Sequence, residues 1–360
     1  MSIWRWSQYF TDVPEQHRIT LGEGNTPIVR SRRIGPAAGL NHLYFKLETA
    51  NPTGSYKDRF GAAAIAGMLA AGKSHCVATS SGNTGAAVAA YSAAAGITCE
   101  IAVVETAPPG KLRQMMVYGA NIYRIRGFGL DPQISADAFK LVQQRGSAAR
   151  AQMQISAFTY SPVGMAGVKT MSYEIAEQVE QGAVPAVDHV FVQAGGGGLT
   201  LAVARGFVDM VAAKRLSRGP RVHCVQPEGN DTIASALRNG DAKAKLVQCT
   251  SAISGLQVPS VIDGDMVVQA CRASGGTGHA VTDAAVWDVQ RRLAVEEGIF
   301  CEPAGATALA GALQAVTRGE IRADDMVVCI VTGSGFKDEP SVDRMLADVS
   351  CPTLDLAELR

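Results

Sequence analysis

The chain has 360 residues with 33 basic and 33 acidic side chains, a net charge of zero, so it lacks the basic surplus that neutralising nucleic-acid phosphates requires. Hydrophobic residues make up 47% and charged residues 18%, which excludes a disordered chain and leaves apolar surface for a large core. No stretch reaches the roughly 18 to 20 apolar residues of a membrane span, and residues 1–10 lack the apolar run of a secretory signal.

Short β-branched runs alternate with Ala-rich stretches, the pattern of an α/β fold with mostly parallel strands. In chain order the spacing predicts a strand over 75–79, a helix over 85–95, a strand over 99–104 and a helix over 111–118. A strand over 122–125 and helices over 135–144 and 168–181 follow. Then come a strand over 189–193, a helix over 199–213, a strand over 221–226, a helix over 283–297 and a strand over 326–332. Thr282 and Asp283 supply N-cap chemistry for the helix at 283. Pro108-Pro109-Gly110 and Ser161-Pro162 punctuate the chain. No repeat or long linker divides it. The eight Cys are scattered without a Cys-x-x-Cys pair and the six His are dispersed, so the thiols read as buried and reduced in a cytoplasmic protein, and no metal site is expected.

Four loops stand out, because ligands in open α/β sheets bind beyond the carboxyl ends of strands. Ser80-Ser81-Gly82-Asn83-Thr84-Gly85 follows one strand and opens a helix, whose free N–H groups suit a carboxylate or a phosphate; an ordinary capped turn would look the same. Gly195-Gly196-Gly197-Gly198 forms a second such loop, suited to a nest of N–H groups around a phosphate. Gly195 and Gly197 also match the first two glycines of a dinucleotide fingerprint, with Thr200 at the third and Glu228 as a candidate ribose acid. That leaves a nicotinamide dehydrogenase as a rival. Asn51-Pro52-Thr53-Gly54-Ser55-Tyr56-Lys57-Asp58-Arg59 places a Lys after a tight turn, either a fixed nucleophilic amine or a solvated helix-start lysine. Thr332-Gly333-Ser334-Gly335 offers hydroxyls after a strongly apolar strand. A phosphate cradle, a carboxylate cradle, an amine and a hydroxyl are the set that pyridoxal phosphate needs when it works on an amino acid.

These segments, with Leu21-Gly22-Glu23-Gly24-Asn25-Thr26-Pro27 and Glu302-Pro303-Ala304-Gly305-Ala306, carry a resemblance. The chain is similar to the fold-type II, tryptophan-synthase-β-like pyridoxal-phosphate enzymes, and within them to the threonine synthases, over nearly its whole length. The resemblance implies a three-layer α/β fold of two lobes: a large cofactor-binding domain from 1–71 and 156–360, and a smaller mobile domain from 72–155. It implies pyridoxal 5′-phosphate as cofactor and a homodimer. Lys57 becomes the Schiff-base lysine and the base that moves the α proton. Asn83 becomes the partner of the ring's 3′ oxygen, and the N–H groups of Gly195, Gly196, Gly197, Gly198 and Leu199 hold the phosphate. Thr332 faces the ring nitrogen. Ser80, Ser81, Gly82 and Thr84 face the carboxylate of a small amino-acid substrate.

Two departures bear on the substrate. Threonine synthases usually carry an Asn-rich phosphate loop, whereas the glycine run here is more like that of serine/threonine dehydratases. In the segment where threonine synthases grip phosphohomoserine, Pro162, Gly167, Lys169 and Thr170 persist, but Phe158 and Gly164 stand at an Asn and the Arg position. A phosphate dianion needs such charge-assisted donors. The expected activity is therefore α-proton abstraction and β-elimination, or elimination with replacement, on a small hydroxy- or O-substituted L-amino acid. Threonine synthase itself, converting O-phospho-L-homoserine to L-threonine, and a catalytically silent cofactor-binding regulatory protein are the alternatives.

Overall fold

The computed structural model describes residues 2–107 and 109–359; Pro108, in the expected Pro-Pro-Gly break, lies outside them. Strands β1 (Ile28–Arg30), β2 (His42–Leu47), β7 (His189–Gln193), β8 (Arg221–Pro227), β9 (Gly278–Val281) and β10 (Met326–Val331) form a six-stranded sheet in the order β1-β2-β10-β7-β8-β9. A four-stranded sheet, β5-β4-β3-β6, is built from β3 (His75–Thr79), β4 (Thr98–Val103), β5 (Asn121–Arg124) and β6 (Ala151–Gln154). All pairings are parallel except that of β1 with β2. The strand ends that matter therefore open in register: β2 runs beside β10 with Val331 opposite Leu47, and β10 beside β7 with Cys329 opposite Phe191. The fold is thus mixed α/β with parallel sheets, as expected.

The helices that set the site are α1 (Lys57–Ala70), α2 (Asn83–Ala94), α3 (Pro109–Val117), α4 (Pro132–Gly146), α5 (Pro162–Val168), α6 (Thr170–Glu180), α7 (Gly198–Ala212), α8 (Asp283–Glu297) and α9 (Pro303–Thr317). Helix α8 has the expected bounds, and Thr282 Oγ1 accepts from the Ala285 N–H at 3.1 Å as its cap. The helix expected over 168–181 is instead two, α5 and α6, meeting at Lys169. Strands β1, β2, β6 and β9 and helix α9 are additional to the expected elements. No described helix is long and apolar enough to cross a membrane.

Helix α1 is packed between α2 and α5. It is rich in Ala, the best helix former, and is apolar on every side, as a helix covered on every side must be. Phe60, Ile65 and Met68 are fully buried. On one side α1 meets α2, where a Cβ on Gly61 would lie 2.8 Å from Tyr91. On the other it meets α5, where a Cβ on Gly167 would lie 2.5 Å from the Arg59 carbonyl oxygen. Small residues at these crossings let three helices approach closely enough to hold α1 in one place.

The start of α1 is also pinned by charge. Arg59, fully buried, donates from Nε to Glu48 at 2.8 Å and from Nη2 to Glu174 at 2.7 Å. Lys46 Nζ donates to Glu174 at 2.9 Å, and Thr170 Oγ1 accepts from Arg59 Nη1 at 2.9 Å. The two cations hold the Glu174 carboxyl well below the usual carboxylate range against the opposing effect of burial. Removing one member of such a buried set leaves an uncompensated charge inside the protein. Arg59→Met should lower unfolding stability by about 3–5 kcal/mol; a urea midpoint within error of the parent's would show that the network does not carry the junction.

Candidate active site

The turn before α1 is assembled by its own side chains. Asp58 accepts from the Thr53 N–H at 3.1 Å and from Thr53 Oγ1 at 2.8 Å, which folds residues 53–58 back on themselves. Gly54 supplies the left-handed residue of the turn at φ +84°. Burial pushes the Asp58 carboxyl up to about 6, with the Thr53 bonds opposing it. Lys57 is the first residue of the helix.

From there the Lys57 side chain reaches a cavity of about 240 Å³ at the carboxyl ends of the strands. Its walls include Lys57, Asn83, Thr84, Gly195, Gly196, Gly198, Leu199 and Thr332, residues drawn from four separate segments of the chain. Lys57 Nζ donates to Ser156 Oγ at 3.0 Å and to the Tyr56 hydroxyl. Ser156 Oγ lies 2.9 Å from Thr84 Oγ1. Burial lowers the Lys57 ammonium to about 7, although the Glu302 carboxylate favours the charged form. Desolvation wins because an ammonium taken out of water loses more than one distant carboxylate restores.

Other expected site residues take different places. Gly197 is not in the cavity wall; it adopts φ +96° at the N-cap of α7 and turns the loop so that its neighbours face inward. Ser80 Oγ accepts from the N–H groups of Gly82 and Gly85 at 3.3 and 3.1 Å, inside its own loop. Gly82 lines the adjoining cavity of about 550 Å³, shared with Asn83 and Glu302, and Ser81 is half-buried beside it. Thr332 Oγ1 accepts from the Tyr56 N–H at 2.9 Å, which leaves the hydroxyl proton free to donate into the cavity.

Three observations fit pyridoxal phosphate. Both polar atoms of the Gln193 amide are buried in the cavity wall without a partner, so the cavity is built for a polar occupant. Among the described residues the N–H groups of Gly195 to Leu199 find no acceptor, and they stand at the start of α7, where an anion is favoured. Among the described residues the one amine in the wall is that of Lys57, which burial keeps substantially neutral near pH 7. Tyr56, Ser156, Gln193 and Glu302 were not singled out by sequence as site residues. Glu302 belonged to a recognised motif, and Gln193 is a polar residue closing a buried strand, a signal that could have been used. Ser156 carries no local signal.

Comparison with known proteins agrees with this cavity. The profile of the family described as "Pyridoxal-phosphate dependent enzyme" matches residues 19–333. The threonine synthase of Methanocaldococcus jannaschii is 32% identical over 349 residues, covering 96% of this chain and 82% of that one. That of Bacillus sp. (strain ULM1) is 31% identical over 358 residues, covering 98% and 96%. Among solved structures, holo diaminopropionate ammonia lyase from Escherichia coli superposes with a TM-score of 0.77 at 19% identity, covering 97% and 93%. Threonine deaminase isoform 2 of Solanum lycopersicum gives 0.73 at 18% identity, covering 97% and 94%. The chain belongs to the pyridoxal-phosphate dependent enzymes of fold-type II, and its cofactor is pyridoxal phosphate. The dinucleotide reading of the glycine run is thereby set aside.

An amine nucleophile reacts in its deprotonated form, so the rate at which apoprotein takes up pyridoxal phosphate should rise with pH through a midpoint near the Lys57 value of about 7. Borohydride should then fix the cofactor to Lys57, as peptide mapping would reveal. Label on another lysine, or a midpoint near the ordinary lysine value of about 10, would contradict the assignment.

Proposed function

We propose that this enzyme is a lyase that removes the α proton of a small hydroxy- or O-substituted L-amino acid and expels its β substituent, in the manner of a serine/threonine ammonia-lyase. When bound, the cofactor supplies an aldehyde for the substrate amine and a ring that delocalises the electron pair left at the α carbon. Lys57 takes the α proton; an amine that is partly neutral at working pH is suited to that task. Ser156 and Tyr56 hold its nitrogen toward the cavity. The loop from Ser80 to Thr84, at the start of α2, receives the substrate carboxylate on backbone N–H groups. Gly195 to Leu199 receive the cofactor phosphate. Thr332, a neutral hydroxyl already accepting from Tyr56, donates to the ring nitrogen and cannot keep it protonated as a carboxylate would. That favours elimination over transamination. Residues 72–155 are proposed to close over the substrate; the links from this lobe across the cleft include the mostly buried pair of Lys111 and Asp338 at 3.3 Å and the exposed pair of Arg113 and Glu339 at 3.9 Å, and the exposed pair can be remade at small cost.

The observation that carries the choice of substrate is the committed state of the segment from Phe158 to Thr170. Gly164 packs on α1, and a Cβ there would come 2.6 Å from Phe60 and 2.9 Å from Ala64, so no side chain fits without displacing the helix. The Phe158 ring lies under the Arg205 guanidinium at 4.5 Å. Thr159 Oγ1 donates to Asp263 at 2.9 Å, and Ser161 Oγ accepts from the Ile155 N–H at 3.0 Å. Lys169 is paired with Asp209 at 2.7 Å, and Arg59 is enclosed in its network. A phosphate dianion entering here would lose water, and the guanidinium beside the segment, that of Arg205, is stacked on the Phe158 ring. Threonine synthase is the second reading, favoured by the identity of about one-third to proteins of that name over most of their length.

Relative kcat/KM for O-phospho-L-homoserine, threonine, serine and O-substituted serines on one preparation decides between them. Serine, threonine or an O-substituted serine should lead. A tenfold or greater preference for phosphohomoserine, about 1.4 kcal/mol in transition-state binding, would reverse the assignment in favour of threonine synthase.

A further inference from the structure

Asn83 opens α2, next to the four-stranded sheet, yet both ends of its side chain are gripped from the other side of the cleft. Lys337 Nζ, in the segment after β10, donates to Asn83 Oδ1 at 2.8 Å. Asn83 Nδ2 donates to Oε1 of Glu302, the residue that precedes α9, at 2.6 Å. The oxygen and nitrogen ends of an amide are almost identical in shape, so orientation must come from the partners. An ammonium can only donate, and an ionised carboxylate can only accept. Both neighbours therefore impose the same orientation. Glu302 takes one of the two N–H bonds, and the other is left for the cavity that Asn83 shares with Lys57 and Thr332. The Lys337 ammonium has no other hydrogen-bond partner among the described residues.

We propose that Lys337 is a positioning residue that pins the carbonyl end of Asn83, so that an Asn83 N–H is always presented to the 3′ oxygen of the cofactor ring. The inference rests on the reading of Asn83 as that oxygen's partner. With the amide reversed, its carbonyl oxygen would face the ring oxygen, two acceptors with no proton between them. Glu302 alone would hold the orientation less securely, because burial raises its carboxyl toward the protonated form, and a protonated carboxyl can either accept from the amide N–H or donate to the amide oxygen. Burial disfavours the Lys337 ammonium too, with Glu302 and Asp58 supporting its charge, so the two partners together hold the amide more securely than either alone. The Lys337 charge, one hydrogen bond removed from the ring, also favours the ionised form of the 3′ oxygen.

Three substitutions separate orientation from charge. Lys337→Arg keeps a donor and the charge, Lys337→Gln keeps a donor alone, and Lys337→Met keeps neither at similar length. The readouts are the dissociation constant of pyridoxal phosphate from the reconstituted holoenzyme and the pH midpoint between the absorbance bands with the ring oxygen ionised and protonated. Lys337→Met should weaken cofactor binding about tenfold, the effect of one charge-assisted hydrogen bond. It should also move the midpoint to higher pH, since the ionised oxygen has lost its support. Lys337→Arg should restore both, and Lys337→Gln the affinity more than the midpoint. A Met variant with parental affinity and midpoint overturns the inference, as does an Arg variant no better than Met, which would mark a purely structural contact. Asn83→Ala in parallel tests the reading beneath it. If that variant leaves the spectrum unchanged, Asn83 does not touch the ring and the premise fails; if it shifts the spectrum while Lys337→Met does not, only the positioning role fails.

Discussion

Arg59 is the residue on which the geometry of the site depends. Its guanidinium has no solvent exposure and meets Glu48, which follows β2, and Glu174, on α6. Lys46 closes the set, so two cations and two carboxylates balance inside the protein. A buried guanidinium is tolerable only with every donor occupied, and here all three nitrogens are bonded. The geometry of those bonds fixes the rotation of α1 about its axis. Lys57 stands two residues earlier, roughly on the opposite side of the helix at 3.6 residues per turn. Anchoring Arg59 toward α6 therefore aims Lys57 at the cavity.

The same placement prepares the chemistry of Lys57. Burial is the main reason its ammonium falls to about 7. Its position at the start of α1 acts in the same direction, because the positive end of the helix dipole disfavours a cation there. The hydroxyls of Tyr56 and Ser156 accept its N–H bonds without adding a countercharge. The local structure thus withholds the carboxylate partner that would restore an ordinary lysine, while the ion pairs of this junction are placed around Arg59 instead.

Some of this was legible in the sequence because residue type there is dictated locally. The strand at 189–193 and the helix at 283–297 have the bounds their patterns gave. The loops around Asn83, Gly195 and Thr332 announced themselves by small and hydroxyl residues at strand ends. What escaped was set by distant packing. Strand β2 contains a fully buried Lys46, which breaks an apolar pattern and makes sense only opposite Glu174. Helix α5 contains Gly164 and Gly167, poor helix formers, and forms because α1 leaves no room for side chains at those positions. Ser156 reaches Lys57 from 99 residues away in the chain, a separation at which no spacing rule operates.

The segment from Phe158 to Thr170 divides in the same way. Its retained residues serve α1. Gly167 allows the Arg59 backbone to approach, and Thr170 Oγ1 accepts from Arg59 while donating to the Gly167 carbonyl at 2.6 Å. Lys169 ties α5 and α6 to α7 through Asp209. Each of these contacts belongs to the platform that aims the lysine, and any enzyme using that platform needs them whatever its leaving group. Positions 158 and 164 are under no such requirement for an amide or a guanidinium; at 164 the packing against Phe60 here requires the lack of a side chain. Residues of this platform bear on how the lysine is held and not on the leaving group. Information about the substrate lies instead in the side chains that face the cavity and its mouth.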